Sequence, residues 1–168
     1  METPRWNPAE PRASLMAQWE FFHDHARQVF LKDGTHVEIL FLLADDGTMQ
    51  PVPIAKPMTR EEVSARLREQ LPGSRVYGLI HIAEAWAYLP KGPDDHTRKQ
   101  LEWGEMRVSS LRDEDKTELL MVSLLSRDGN SMAWIDEIVR EKEGQVRLGR
   151  SAKLNTIDFP LGNVFERE

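Results

Sequence analysis

The chain is predicted to be an α+β protein: a mostly antiparallel sheet of five to seven strands with two helices on one face, in the order α-β-β-α-β-β-β-β-β. Three observations predict it. Apolar residues recur every three or four positions in only two stretches, one beginning at Pro11 and one at Thr59. Elsewhere, short apolar runs of strand length are separated by charged or glycine-bearing turns. The last strands follow one another about every 13 residues, too closely for crossover helices, so their pairing is antiparallel.

Residues 1–11 (METPRWNPAEP) hold three of the ten prolines and predict a flexible or draped arm. From Pro11, the residues Leu15, Trp19, Phe22, Ala26 and Val29 form the apolar stripe of a helix of about 20 residues. Gln18, His23, Asp24, Arg27 and Gln28 are assigned to its polar side. Proline suits the first turn, and Lys32-Asp33-Gly34 supplies a terminal cation and then a stop.

A strand is expected over 36–44, turning through Asp45-Asp46-Gly47 into a returning strand over Thr48–Ile54. Pro51 and Pro53 lie two residues apart, so both missing N–H groups fall on one side of that strand. This marks a sheet edge closed to further pairing. Thr59 and Glu62 then have capping-box spacing, with Met58 and Val63 at the staple positions. Val63, Leu67 and Leu71 continue that second helix until Pro72-Gly73 ends it.

Residues 75–89 begin as a strand, although 83–89 suit a helix equally on propensity. A polar loop covers 90–104, with a short helix near Arg98–Trp103. Strands follow at Glu105–Leu111, Thr117–Ser126, Met132–Val139 and Gln145–Ser151. Residues 154–168 are expected to be irregular, with Ile157, Phe159 and Phe165 packing back on the domain. No repeat or linker divides the chain, so a single domain over 1–168 is expected. The element order is similar to that of small α+β modules of the profilin and roadblock kind, a likeness that implies nothing about activity.

Composition excludes several classes of function. There is no cysteine, hence no disulfide, thiolate metal site or cysteine nucleophile. The net charge is −6 and no segment is strongly basic; Arg147, Arg150 and Lys153 form the best cationic cluster. Phosphate backbones require many neutralising contacts, so neither nucleic acid nor an anionic membrane surface is an expected partner. No apolar run approaches the roughly 20 residues that span a bilayer, no leader sequence is visible, and a cytoplasmic location is expected.

No catalytic or nucleotide motif stands out, and no cofactor or metal is expected. Glu20-x-x-His23 has a di-iron spacing, but one long helix cannot supply the facing carboxylates that such sites need. Asp94-Asp95-His96 lacks a recognised metal spacing. The residues that an acid/base site would use are His81, Glu84 and His96, between the strand over 75–89 and the loop over 90–104. A regular strand would put His81 and Glu84 on opposite faces. Trp86, Tyr88 and Trp103 are the candidate binding aromatics, with core packing as their ordinary role.

The strands over 36–44 and 117–126 are apolar on both faces. Two helices, each about 10 Å across, cover only part of one face of such a sheet. A curled sheet, the C-terminal segment or another chain must then cover the second face. The function expected on this ground is a non-enzymatic protein-interaction or assembly module, acting as a homodimer or adaptor. A small hydrolase or small-molecule-binding enzyme is the alternative.

Overall fold

A computed structural model describes residues 2–54, 75–88, 94–102 and 110–155, together with the isolated positions 62, 65, 66 and 69. Of the helix predicted from Thr59 only positions 62, 65, 66 and 69 are described, and they are helical; its other positions, most of the strand expected at Glu105–Leu111, Trp103 and everything after Asn155 lie outside these residues. Ser110 and Leu111, the last positions of that expected strand, are in a turn.

Among the described residues, the fold is one antiparallel sheet of six strands with two continuous helices. Helix α1 runs from Pro11 to Asp33, and the short α2 spans His96–Glu102. The strands are β1 (Ile39–Ala44), β2 (Met49–Pro53), β3 (Val76–Ala87), β4 (Thr117–Ser126), β5 (Ser131–Arg140) and β6 (Val146–Asn155). Their order across the sheet is β2-β1-β3-β4-β5-β6. A hairpin of β1 and β2 thus flanks a meander of β3 to β6.

The local signals explain the boundaries. Pro11 starts α1, and Gly34 ends it in the left-handed conformation at φ 73°, its N–H donating to Phe30 O. The strand expected over 36–44 pairs only from Ile39, because His36 N–H donates instead to the Glu84 carboxylate. Residues 83–87 are strand and not helix, since Ala83 to Ala87 pair with Met121 to Thr117. Tertiary pairing overrides their helical propensity. The last strand continues to Asn155, so Leu154 and Asn155 belong to β6 and not to an irregular segment.

Pro51 and Pro53 sit on an outer edge, as their spacing predicted. Ile54 N–H donates to Glu38 O and Thr48 O accepts from Ala44 N–H, so even-numbered positions of β2 face β1. The two prolines face outward, where no donor is required.

Helix α1 lies on one face of the sheet. Leu15, Trp19, Phe22, Ala26 and Phe30 pack with Leu43, Ile80, Ile82, Leu120, Val122 and Leu124. Each such large side chain, once fully buried, contributes about 1.5–3 kcal/mol. The N-terminal arm is draped over the sheet margin: Trp6 is buried, stacks on Tyr77 and donates from Nε1 to Ala44 O at 2.6 Å.

The expected shortage of cover on the second face is not found across the middle of the sheet. Leu40, Leu42, Leu79, Ala83, Leu119 and Leu125 all point to that face and all are buried within the one chain. Exposure rises at the two edge strands instead: β2 is exposed except at Val52. Every residue of β6 from Gly149 to Asn155 is exposed.

Candidate functional site

Strand β6 is ten residues long and, among the described residues, pairs only with β5. Its backbone orientation follows from the ladder. Glu141 N–H donates to Gln145 O, so alternate residues back along β5, including Ile135 and Ala133, turn their backbone groups toward β6. These two pair with Ala152 and Leu154, which therefore face inward. Ser151, Lys153 and Asn155 present their N–H and C=O groups to the outside. So do Val146 and Leu148 before the irregularity in the strand, because Val139 pairs with Arg147.

That irregularity shapes the edge. Asp136 pairs with Ser151 while Ile138 pairs with Leu148, so one residue of β5, Glu137, lies opposite two of β6. The extra residue is a β-bulge at Gly149-Arg150, and it reverses the alternation of everything that follows. Ser151 and Lys153 are thereby brought to the α1 side, and Arg150 to the other side. There Arg150 reaches Glu137 at 3.1 Å, and Arg147 reaches Glu141 at 2.7 Å. Lys153 Nζ stands 5.0 Å from the Trp19 ring centroid and 5.3 Å from that of Trp134.

Below this edge lies a buried ionic cluster. Asp136 is wholly buried; its Oδ2 is 2.6 Å from His23 Nε2, and its Oδ1 accepts from Arg27 Nη1 at 2.8 Å. The Ser151 hydroxyl adds a further hydrogen bond, and Trp134 stacks flat on His23 with centroids 4.6 Å apart. Burial pushes the Asp136 carboxyl up. The hydrogen bonds from His23 and Ser151 and the neighbouring positive charge outweigh that, and the carboxyl sits below its ordinary range. Both carboxylate oxygens are occupied and none faces solvent, so the cluster is a strut that fixes β5 and β6 to α1. The assignment of Gln18 and His23 to a solvated side of α1 is corrected here: both are buried. Gln18 Nε2 donates to Pro4 O and thereby holds the arm.

The candidate acid/base residues do not share one site. His81 and Glu84 stand on opposite faces of β3. His81, on the face away from α1, lies 2.8 Å through Nε2 from Glu38 Oε1. Glu84 accepts from His36 N–H at 2.6 Å and Thr35 Oγ1 at 2.9 Å, and lies 3.9 Å from Arg140. It ties the α1–β1 connection to the sheet. His96 is exposed at the start of α2. Among the described residues, no three histidine, aspartate or glutamate side chains gather to hold a metal.

Of the candidate binding aromatics, Trp86 is 53% exposed, with Lys116 Nζ 5.5 Å from its ring centroid. It borders a shallow depression of about 250 Å³ beyond the end of α1, shared with Glu118, Ile138 and Arg140. The charges there are already matched, since Glu118 accepts from Arg140 through both carboxylate oxygens. Tyr88 donates its hydroxyl to Asp95, and Trp103 lies outside the described residues.

Sequence reasoning overlooked Asp136. A signal was present: it stands among Met132, Trp134 and Ile138 as the single acid on the inward face of β5. A carboxylate there needs a partner on whatever packs above it.

Neither protein-family models, nor curated proteins, nor solved structures show a match to this chain.

Proposed function

We propose that the protein is a non-enzymatic interaction module that recruits its partner by accepting an additional strand along β6. The observation that carries this reading is the contrast between the two edges of the sheet. Prolines close β2, whereas β6 offers ten residues without a proline, exposed from Gly149 onward and braced from below by the Asp136 cluster. An edge of that kind is a template for another strand. The separation of His81 from Glu84 weighs against the enzymatic alternative, because an acid and a base on opposite faces of a strand cannot both reach one bound substrate.

The test is a selection of ten-residue peptides from a random display library on the immobilised protein, counter-screened against Lys153→Pro. Proline at 153 removes an outward N–H and leaves the inner ladder intact. Lys153→Ala keeps that N–H. The expected result is a set of binders that lose at least about tenfold in affinity on K153P, the equivalent of about 1.4 kcal/mol, and far less on K153A. A library yielding no binders, or binders indifferent to K153P, would overturn the proposal.

A further inference from the structure

We infer that the strand accepted by β6 is an acidic segment of another protein and not a second copy of β6. This rests on the strand-addition reading above and adds the chemistry of the partner.

The argument starts from charge. Strand β6 (VRLGRSAKLN) carries Arg147, Arg150 and Lys153 and no carboxylate, a charge of +3 in ten residues. With β6 at +3 in a chain of net −6, the remaining residues stand at −9. An acidic chain thus presents a local excess of positive charge on an edge that pairs only with β5 among the described residues. Pairing β6 with a second β6 would bring six cations into a two-stranded interface, and like charges placed opposite one another across strands are destabilising. An acidic strand replaces that repulsion with attraction at the same positions.

The bulge adds a constraint. It directs Arg150 to the face away from α1 and Lys153 to the α1 side, so the cations lie on both faces of the edge. A matching strand needs carboxylates on both of its own faces, and a simple alternation of acidic and apolar residues does not supply that. The existing pairs leave the arginines available. The Arg147 and Arg150 side chains are 57% and 84% exposed while resting on Glu141 and Glu137. Exposed pairs of this kind are weak, so a second carboxylate joins them at little cost.

The experiment uses three ten-residue, threonine- and valine-rich peptides that differ only in bearing three glutamates, three lysines or three glutamines. Binding to the intact protein is read by fluorescence anisotropy at about 0.1 M and about 1 M salt, where the screening length falls from about 10 Å to about 3 Å. The glutamate peptide is expected to bind roughly tenfold tighter than the glutamine peptide at low salt, as three exposed ion pairs allow. That advantage should shrink at high salt and in the double variant Arg147→Gln/Arg150→Gln. Light scattering of the protein alone should give a monomer.

Equal binding of all three peptides, abolished by K153P, would overturn the acidic partner and leave strand addition standing. So would a dimer dissociated by K153P. Failure of all three peptides to bind the wild-type protein would remove both proposals together.

Discussion

His23 Nε2 on α1 and Asp136 Oδ2 on β5 lie 2.6 Å apart across 113 residues of sequence, with Arg27 on the second oxygen of the same carboxylate. The contact fastens the helix to the part of the sheet that carries β6. Its strength depends on completeness, because a buried charge stripped of one partner is far costlier than an exposed one. Asp136→Ala should therefore destabilise the fold by about 3–5 kcal/mol. Arg27→Ala should cost less, because that side chain is 38% exposed and its removal lets water reach the carboxylate oxygen it leaves. Urea denaturation of both variants checks the pair; an Asp136→Ala loss no larger than that of Arg27→Ala would show that the cluster is not a strut.

The same carboxyl predicts an acid limb. Burial alone would raise Asp136, but His23, Ser151 and Arg27 hold it below the ordinary value of 3.8. A depressed folded-state value means that the unfolded chain takes up the proton first as pH falls. The stability contributed by Asp136 is complete above about pH 4 and is lost as pH drops through its folded-state value. Thermal melts of wild type and Asp136→Asn between neutral pH and pH 2 should converge toward the acid end. Parallel curves over that range would contradict the assignment.

Leu15 of α1 packs directly over Gly78 of β3. A methyl group there would lie 2.8 Å from Leu15 Cδ2 and 3.1 Å from the backbone oxygen of Leu125. Leu15 is itself buried, and the carbonyl cannot rotate away without leaving its ladder. Gly78→Ala should cost about 1–3 kcal/mol as an overpacked core. The side chain and the carbonyl can be separated experimentally. If Leu15 is the main obstruction, Leu15→Ala combined with Gly78→Ala should be less destabilising than the sum of the single changes, measured as a double-mutant cycle.

What was legible from the residues divides along a physical line. Pro11, Gly34 and Asp45-Asp46-Gly47 act locally, and the elements they bound appear where that chemistry puts them. Strand β4 matches its expected span, Thr117–Ser126, because ten apolar-rich residues between charged turns have no competing assignment. The failures are non-local. Whether residues 83–87 extend depends on β4, which lies thirty positions onward. A helical wheel counts His23 as polar and exposed because it has no knowledge of Asp136. The bulge in β6 has no sequence signature beyond one glycine, yet it decides which side Ser151 and Lys153 take. The acid/base trio rests on residue type, whereas an edge unpaired among the described residues is a property of backbone pairing.

The draped arm supplies a further prediction. Trp6 fills a buried position, stacks on Tyr77 with centroids 5.8 Å apart, and gives its indole N–H to Ala44 O at the end of β1. Trp6→Phe retains most of the apolar bulk and loses the hydrogen bond, for about 1 kcal/mol. Trp6→Ala also opens a cavity and should cost about 3–5 kcal/mol. Calorimetry of the two variants separates bulk from bonding; if both are neutral, the arm contributes nothing to the fold.

Beneath Trp6, Tyr77 predicts the alkaline limit. Burial, followed by the hydrogen bond it donates to Asp128 at 2.8 Å and the charge of that carboxylate, pushes the phenol up from 10.0 to about 12. A raised value for an acid means that the folded state holds its proton longer than the unfolded chain does. Below pH 10 both states are neutral at this residue and its contribution is intact. Between about pH 10 and 12 only the unfolded chain ionises, so stability falls as pH rises, by up to about 1.4 kcal/mol per pH unit. Tyr77→Phe should be less stable near neutrality, by about 1 kcal/mol for the lost hydrogen bond. Its stability should nevertheless decline more slowly above pH 10, so that the two curves draw together. Lysines and the remaining tyrosine titrate in both proteins and cancel in the difference. Guanidinium unfolding at successive pH values between 9 and 11.5 measures that difference directly, and a gap that stays constant across the range would place the Tyr77 hydroxyl in water rather than against Asp128.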